Sequence, residues 1–263
     1  ETAMAAVVSN ATALNAVVTS QVALNAVAAS ETAMAAVIGN ATALNVVATS
    51  QAAMNAVAAS ETAMTALIAN TAAFNTVVTS HVAMNAVASS YVAVAAVYES
   101  AVAVEAVKAN ETAWATLTGA SSAVMGKAAA KLAGLNPADY ADMDAIASSS
   151  TAMAAIVASQ TARKAIESSN TAISALSASS RVVTGYATIG TAYSKDCWIV
   201  SACCTTSNSS SYQYTIGNFY DSPTTKTGMY GNTHKAVSRF AKNAAVTADT
   251  AGGWQHEIKY IPC

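Results

Sequence analysis

Apolar and polar positions recur along this chain with a period of ten. With the first decad written E-T-A-M-A-A-V-V-S-N, the third position is Ala in all twelve copies from Ala3 to Ala113. The fourth is large and apolar: Met4, Leu14, Leu24, Met34, Leu44, Met54, Met64, Phe74, Met84, Val94, Val104 and Trp114. The seventh is Val or Leu from Val7 to Leu117, and positions 9 and 10 are mostly Ser, Thr or Asn. Positions 3 and 4 lie four and three residues before position 7, which predicts a short helix with one apolar face. A single long helix cannot carry the pattern. At about 100° per residue the apolar stripe would slip by about 80° every decad. Ser or Asn at position 10, followed by Glu1, Glu31 or Glu61, is instead the signal of a new helix N-terminus, so the chain is expected to turn at every decad boundary.

A longer period lies over the first. Residues 1–30 and 31–60 agree at 24 of 30 positions, whereas a ten-residue shift of the first thirty agrees at only 14. The repeating unit is therefore three decads. Three short helices would close one coil of a triangular solenoid, with Ala, Met or Leu, and Val pointing inward and each coil resting on the last. Helices this short need such packing because nucleation is costly. Ala at position 3 would let neighbouring helices approach to about 8 Å. Asn15, Asn45 and Asn75, like Asn25, Asn55 and Asn85, recur every thirty residues. Stacked coils would align them into ladders whose amides are expected to bond from coil to coil or to cap turns.

The array changes after residue 90, where Tyr91, Tyr98, Glu99, Glu105, Lys108 and Trp114 replace small residues. Gly119, Gly126, Gly134 and Pro137 then break it, and residues 121–139 are one short of two decads. The motif resumes with Met143 and Ile146, Met153 and Ile156, and Ile173 and Leu176, while Arg163 and Lys164 mark one strongly polar copy. Near residue 180 the composition shifts. Residues 180–263 hold 11 of the 16 aromatic residues, all four cysteines, and seven Lys or Arg against four Asp or Glu. The expected organisation is a repeat shaft over 1–120, a joint or distorted coil over 121–139, resumed repeats over 140–179, and a separate domain over 180–263.

In that last segment Cys197–Thr205, Tyr212–Tyr220 and His256–Ile261 carry the β-branched and aromatic content of strands, and Lys235–Asn243 reads as a short helix or another strand. The fold class is thus α + β: an N-terminal solenoid of short helices followed by a small β-rich domain. Its expected core is Trp198, Val200, Ile216, Phe219, Phe240 and Ile258. Cys197, Cys203, Cys204 and Cys263 are candidates for disulfides, with three pairings open.

Chemistry-bearing motifs are sparse. No phosphate loop, nucleophile elbow or metalloprotease motif is present, and the histidines, His81, His234 and His256, are scattered without a matching C-x-x-C pair. The reading is of a protein with no catalytic residues, metal or cofactor. A formal net charge of −2 with dispersed basic residues argues against a nucleic-acid partner. Uncharged runs such as Thr2–Ser30 raise the question of membrane insertion, but polar residues return every few positions, no Lys or Arg flanks them, and no signal-peptide pattern opens the chain. Recognition-type side chains gather in the last domain. Tyr212, Tyr214, Tyr220, Tyr230 and Trp254 offer rigid amphipathic surface, and Lys226 and His234 offer donors suited to sugar hydroxyls or acidic glycans. They concentrate around residues 221–233, which read as an exposed loop on a rigid support.

Tandem S-x-T-A-M-x-A-V-type decads, as in Ser30–Val37 and Ser60–Leu67, followed by a small terminal domain rich in Gly, Ser and Tyr, resemble the tail fibres and receptor-binding proteins of bacteriophages. That resemblance implies a structural, adhesive appendage on a virion or extracellular surface, often trimeric. Its partners would be a host-surface glycan or protein at the C-terminal domain, and other virion or surface-assembly proteins at the N-terminal end. A bacterial cell-surface adhesin or filament-forming repeat protein built the same way is the alternative.

Overall fold

A computed structural model describes residues 2–188, 196–204, 213–221, 225–228, 233–248 and 255–263. The chain is mostly helical, with an antiparallel sheet near its C-terminus, and it divides into two compact units, 1–128 and 129–263.

In the first unit each decad forms one helix: α1 (Thr2–Val8), α2 (Ala11–Val18), α3 (Gln21–Ala28), α4 (Glu31–Ile38), α5 (Ala41–Thr49), α6 (Gln51–Ala59), α7 (Glu61–Ala69), α8 (Thr71–Thr79), α9 (His81–Ala88), α10 (Tyr91–Glu99), α11 (Ala101–Lys108) and α12 (Glu111–Thr118). They end where the sequence predicts. Ser50 holds φ −96° and ψ 116°, so it leaves α5 in an extended conformation and at once caps α6, accepting the Ala53 amide at 3.3 Å. Asn10, Ser20, Ser30, Asn40, Ser60, Asn70, Ser80, Ser90, Ser100 and Asn110 cap their helices in the same way. An extended residue cannot pass an i to i−4 bond through itself, which is why ten residues give one helix.

Position 10 has a second use. The Ser80 hydroxyl donates to Ala48 O at 2.6 Å, Ser90 to Ala58 O at 2.6 Å and Ser60 to Ala28 O at 2.5 Å, while the Asn40 amide donates to Val8 O at 3.3 Å. Every one of these bonds reaches 32 residues back. Helices three apart pack together, α1 on α4 on α7 on α10, with the α2 and α3 series alike. From α4 to α12 decad positions 3, 4 and 7 are buried between them, as in Ala53, Met54 and Val57 or Ala63, Met64 and Leu67, except that Val104 and Trp114 are half-buried.

The position-5 asparagines correct the expectation of a coil-to-coil ladder. They lie at or near the surface, and Asn25, Asn55 and Asn85 bond within their own helices: Gln21 Nε2 donates to Asn25 Oδ1 at 2.9 Å, Gln51 Nε2 to Asn55 Oδ1 at 2.8 Å, and Asn85 Nδ2 meets His81 Nδ1 at 3.2 Å. The 32-residue bond belongs to position 10 because its backbone leaves the helix there and turns the side chain toward the neighbouring helix.

The next helix, α13 (Ser122–Leu132), ends in a Schellman motif. Leu135 N–H donates to Ala130 O at 2.9 Å and Gly134 N–H to Lys131 O at 3.0 Å, with Gly134 at φ +73°. A 3-10 turn at Pro137–Asp139 precedes α14 (Met143–Ser148), α15 (Ser150–Ala158), α16 (Gln160–Ser168) and α17 (Asn170–Ala178). These again show the decad cap, and Ser159 donates to Leu132 O at 2.7 Å.

The sheet contains β1 (Val183–Thr188), β2 (Cys197–Cys204), β3 (Gln213–Phe219), β4 (Thr225–Gly228), β5 (Lys235–Ala248) and β6 (Gln255–Pro262), in the order β1-β6-β2-β5-β3-β4 with every described pair antiparallel. Lys235–Asn243 is therefore strand, and β1 and β4 are strands that composition alone does not single out. Trp198, Phe240 and Ile258 are buried as expected, as are Ile199, Ala202 and Ile261; Trp198 and Ile261 lie on one face of the sheet and Ala202 and Ile258 on the other, and the Trp198 and Phe240 rings meet edge-on at 4.8 Å. Val200 and Phe219 are only half-buried, and the side chain of Ile216 lies outside the described residues. The reason at Val200 is a bulge: Ile199 faces Tyr260 but Ser201 faces Lys259, so Val200 is the extra residue on β2.

Candidate functional site

Two polar clusters stand on the C-terminal unit. The first explains the polar decad. Arg163 occupies position 4, the apolar position elsewhere, and its guanidinium is buried. Nε donates to Asp221 Oδ2 at 2.7 Å, Nη2 to Asp221 Oδ1 at 3.1 Å and Nη1 to the carbonyl of Val157, while the Tyr220 ring lies 4.3 Å from its carbon. Gln160 adds a bond to Asp221 Oδ1 at 3.1 Å. Burial by itself would favour the protonated carboxyl, but the hydrogen bonds from Arg163 and Gln160 and the positive charges outweigh it, so the Asp221 pKa is lowered. One turn on, Glu167 accepts the Phe240 backbone N–H at 2.9 Å and Arg239 Nη1 at 2.8 Å. Arg181 reaches Pro262 O at 2.7 Å and Ala147 O at 3.4 Å. These bonds fasten the sheet to α14 and α16.

Tyr220, expected at a ligand surface, belongs to this cluster. Its hydroxyl donates to Asp196 Oδ2 at 2.7 Å, and burial together with that carboxylate pushes the phenol pKa up. Its hydroxyl and ring are thus engaged by Asp196 and Arg163 just beyond the end of β3.

The second cluster is built by register. Trp198 faces Ile261, Ser201 faces Lys259 and Cys203 faces Glu257 on β6, which runs without interruption, so all six share one face of the sheet. The Val200 bulge makes this so, since Trp198 and Ser201 are three apart and would otherwise point to opposite faces. A second irregularity on β5, with Ser238 at φ +52°, brings Ala236 opposite Ser201 and leaves His234 beside Cys203 at the strand entrance. Ser201 Oγ stands 3.0 Å from His234 Nδ1, and His234 Nε2 stands 3.0 Å from Glu257 Oε1. The His234 and Glu257 side chains are 24% and 21% exposed, and Cys203 is buried. The Cys203, His234 and Glu257 donor atoms all lie within 4.8 Å of one another. Such a group can bind hydrogen-bonding ligands through its open side, relay a proton through the imidazole, or ligate a metal.

Of the expected ligand residues, His234 alone stands in this cluster among the described side chains. Tyr214 and Lys226 lie on β3 and β4, Tyr214 opposite Ala248 and Thr227, and Lys226 opposite Thr215; their side chains are outside the described residues. Tyr212, Tyr230 and Trp254 are themselves outside them. Cys197, Cys203 and Cys263 are thiols rather than half-cystines, and the Cys204 side chain is not among those described. The Cys197 and Cys263 pKa values are each pushed up to about 12, first by burial. Sequence reasoning passes over Ser201 and Glu257 and takes Cys203 first for a cross-link, because nothing local marks them. The available signal is faint: Ser201-x-Cys203 places two side chains on one face of a predicted strand.

Among the described residues no helix is long and apolar enough to cross a membrane by itself. Compared with protein-family models and with curated protein sequences, the chain matches none.

Proposed function

We propose that the decad helices form a triangular α-solenoid serving as the shaft of a tail-fibre-like adhesive appendage, and that the C-terminal β-rich domain holds the surface that binds a host glycan or protein. The observation that carries this reading is the bond from position 10 to the carbonyl 32 residues back, repeated at Asn40, Ser60, Ser80 and Ser90. A bond that recurs at one fixed separation supports stacked coils, each resting on the one before. Bends of 99° between α2 and α3, 103° between α4 and α5, and 99° between α9 and α10 support a chain that turns sharply at decad boundaries. Residues 1–120 carry only seven charged side chains, which fits a scaffold better than a solvated catalytic surface. In the C-terminal domain the half-exposed His234 gives the binding surface a described polar anchor.

Immunogold labelling with antibody to residues 1–128, on particles and cells from the source culture, tests the location. Labelled filaments on particles support the virion reading. Labelled cell envelopes favour the cell-surface adhesin, and labelling confined to the cell interior overturns both. Adhesion of the purified full chain to host cells, compared with a chain ending at residue 179, tests the division of roles. Undiminished adhesion by the shortened chain would move recognition to the repeats.

A further inference from the structure

We propose that Cys203, His234 and Glu257 form a zinc site on the C-terminal sheet, with Ser201 orienting the histidine. The inference stands apart from the adhesive reading and rests on four observations. First, the donor set is one sulfur, one imidazole nitrogen and one carboxylate oxygen, all ligand types that zinc takes in tetrahedral sites, and the sulfur and nitrogen disfavour magnesium and calcium, which take oxygen ligands. Second, the spacing suits the ion. A tetrahedral zinc about 2.0 Å from nitrogen and about 2.0 to 2.2 Å from oxygen holds those two atoms roughly 3.3 Å apart, and Nε2 and Oε1 stand 3.0 Å apart. The Cys203 sulfur, a His234 ring nitrogen and a Glu257 carboxylate oxygen lie within 4.8 Å of one another, and a bound zinc would draw the sulfur to about 2.3 Å.

Third, the histidine is already oriented. A metal-bound imidazole almost always donates its other N–H to an oxygen, which fixes the tautomer and aims the lone pair at the ion. Ser201 Oγ occupies that place, 3.0 Å from Nδ1. With Nδ1–H given to Ser201, Nε2 presents its lone pair toward the Glu257 oxygen, and a cation between the two relieves their repulsion. Fourth, a Ser–His–carboxylate relay has no use for the buried Cys203 at the same spot, whereas a metal engages all three donors. On binding, the thiol proton leaves to solvent, and thiolate and carboxylate together balance the two positive charges of the ion. Three protein ligands leave a fourth position, on the side where His234 and Glu257 are exposed, for water or an oxygen donor of a ligand. The site joins β2, β6 and the entrance of β5, so occupancy ties together three segments that are distant in sequence.

The test uses the full chain, stripped with a chelator and dialysed metal-free. Zinc titrated by calorimetry, with metal content measured after gel filtration, is expected to bind at one equivalent per chain and to raise the melting temperature of the C-terminal unit. Cobalt(II) in place of zinc is expected to give the visible bands of a tetrahedral ion and a thiolate charge-transfer band. Cys203→Ser should abolish the charge-transfer band, His234→Ala and Glu257→Gln should weaken binding, and Ser201→Ala should weaken it by about 10- to 100-fold. Circular dichroism of each metal-free variant separates lost binding from lost folding. A wild-type chain that retains no zinc, or a cobalt spectrum without the thiolate band, overturns the site without recourse to any variant. So does a folded Cys203→Ser chain that keeps the band.

Discussion

One hydroxyl at position 10 of the decad performs two tasks, and the difference between positions 10 and 5 can be measured. Ser80 caps α9 through the Ala83 amide at 3.2 Å and also holds Ala48 O. Ser80→Ala removes a cap worth roughly 1 kcal/mol and leaves a part-buried carbonyl unmet, a further cost of about 1 kcal/mol. Urea unfolding of the full chain should show a loss of about 2 kcal/mol in the helical unit, whereas Asn75→Ala, at the surface, should stay within about 0.5 kcal/mol. At Arg163 the stakes are higher because its partner is buried with it, each side chain 7% exposed. Arg163→Ala strands Asp221 without its counter-charge and is expected to cost about 3–5 kcal/mol in the C-terminal unit. The same pair sets a pH dependence. The Asp221 pKa is lower folded than unfolded, so the unfolded chain takes up its proton first as pH falls. The stability from this group is therefore complete above about pH 4–5 and is lost below it, as the pH drops through the folded value. Urea midpoints measured between about pH 2 and 7 should show that acid limb in the wild-type chain and a flatter one in Asp221→Asn.

At the scale of elements, backbone conformation decides where helices stop and how strands register. Most decad helices end at an extended Ser or Asn, but α13 ends at Gly134 with φ +73°. A side chain there meets no atom within 4 Å, so Gly134→Ala tests backbone preference alone. The left-handed conformation should cost alanine about 1–2 kcal/mol in a thermal or chemical melt. Ser238 is the reverse case, a non-glycine residue held at φ +52° by the irregular pairing of β2 with β5. Ser238→Gly should leave stability unchanged or raise it by up to about 1 kcal/mol, and a large loss would mean that the serine side chain itself holds the strand.

For the whole molecule, the compact units place residues 143–178 with the sheet, although their sequence repeats the decads of residues 1–120. Arg163 and Glu167 show the physical reason. In α4 to α9 an apolar position 4 is buried against neighbouring helices, and the arginine at that position instead meets Asp221, while Glu167 meets the backbone of Phe240. Fragment 129–263 is therefore expected to fold cooperatively. Fragment 180–263, stripped of those partners, should melt well below it or fail to fold. Equal melting temperatures by circular dichroism would mean that the sheet stands without its helices.

The sequence by itself determined what depends on neighbours within ten residues. It set the decad helices and their ends, the inward positions 3, 4 and 7, and strands expected at Cys197–Thr205, Tyr212–Tyr220 and His256–Ile261, close to those found, because capping and hydrophobic periodicity are short-range. Only the tertiary structure decided which polar group bonds helix to helix. Asn85 and Ser80 are both capable, but only the latter sits where the backbone turns toward the neighbouring helix. It alone found a partner for Arg163, 58 residues away at Asp221. And it alone gathered Ser201, Cys203, His234 and Glu257, since a face shared across strands depends on register and on one bulged residue, Val200, whose insertion no local pattern announces.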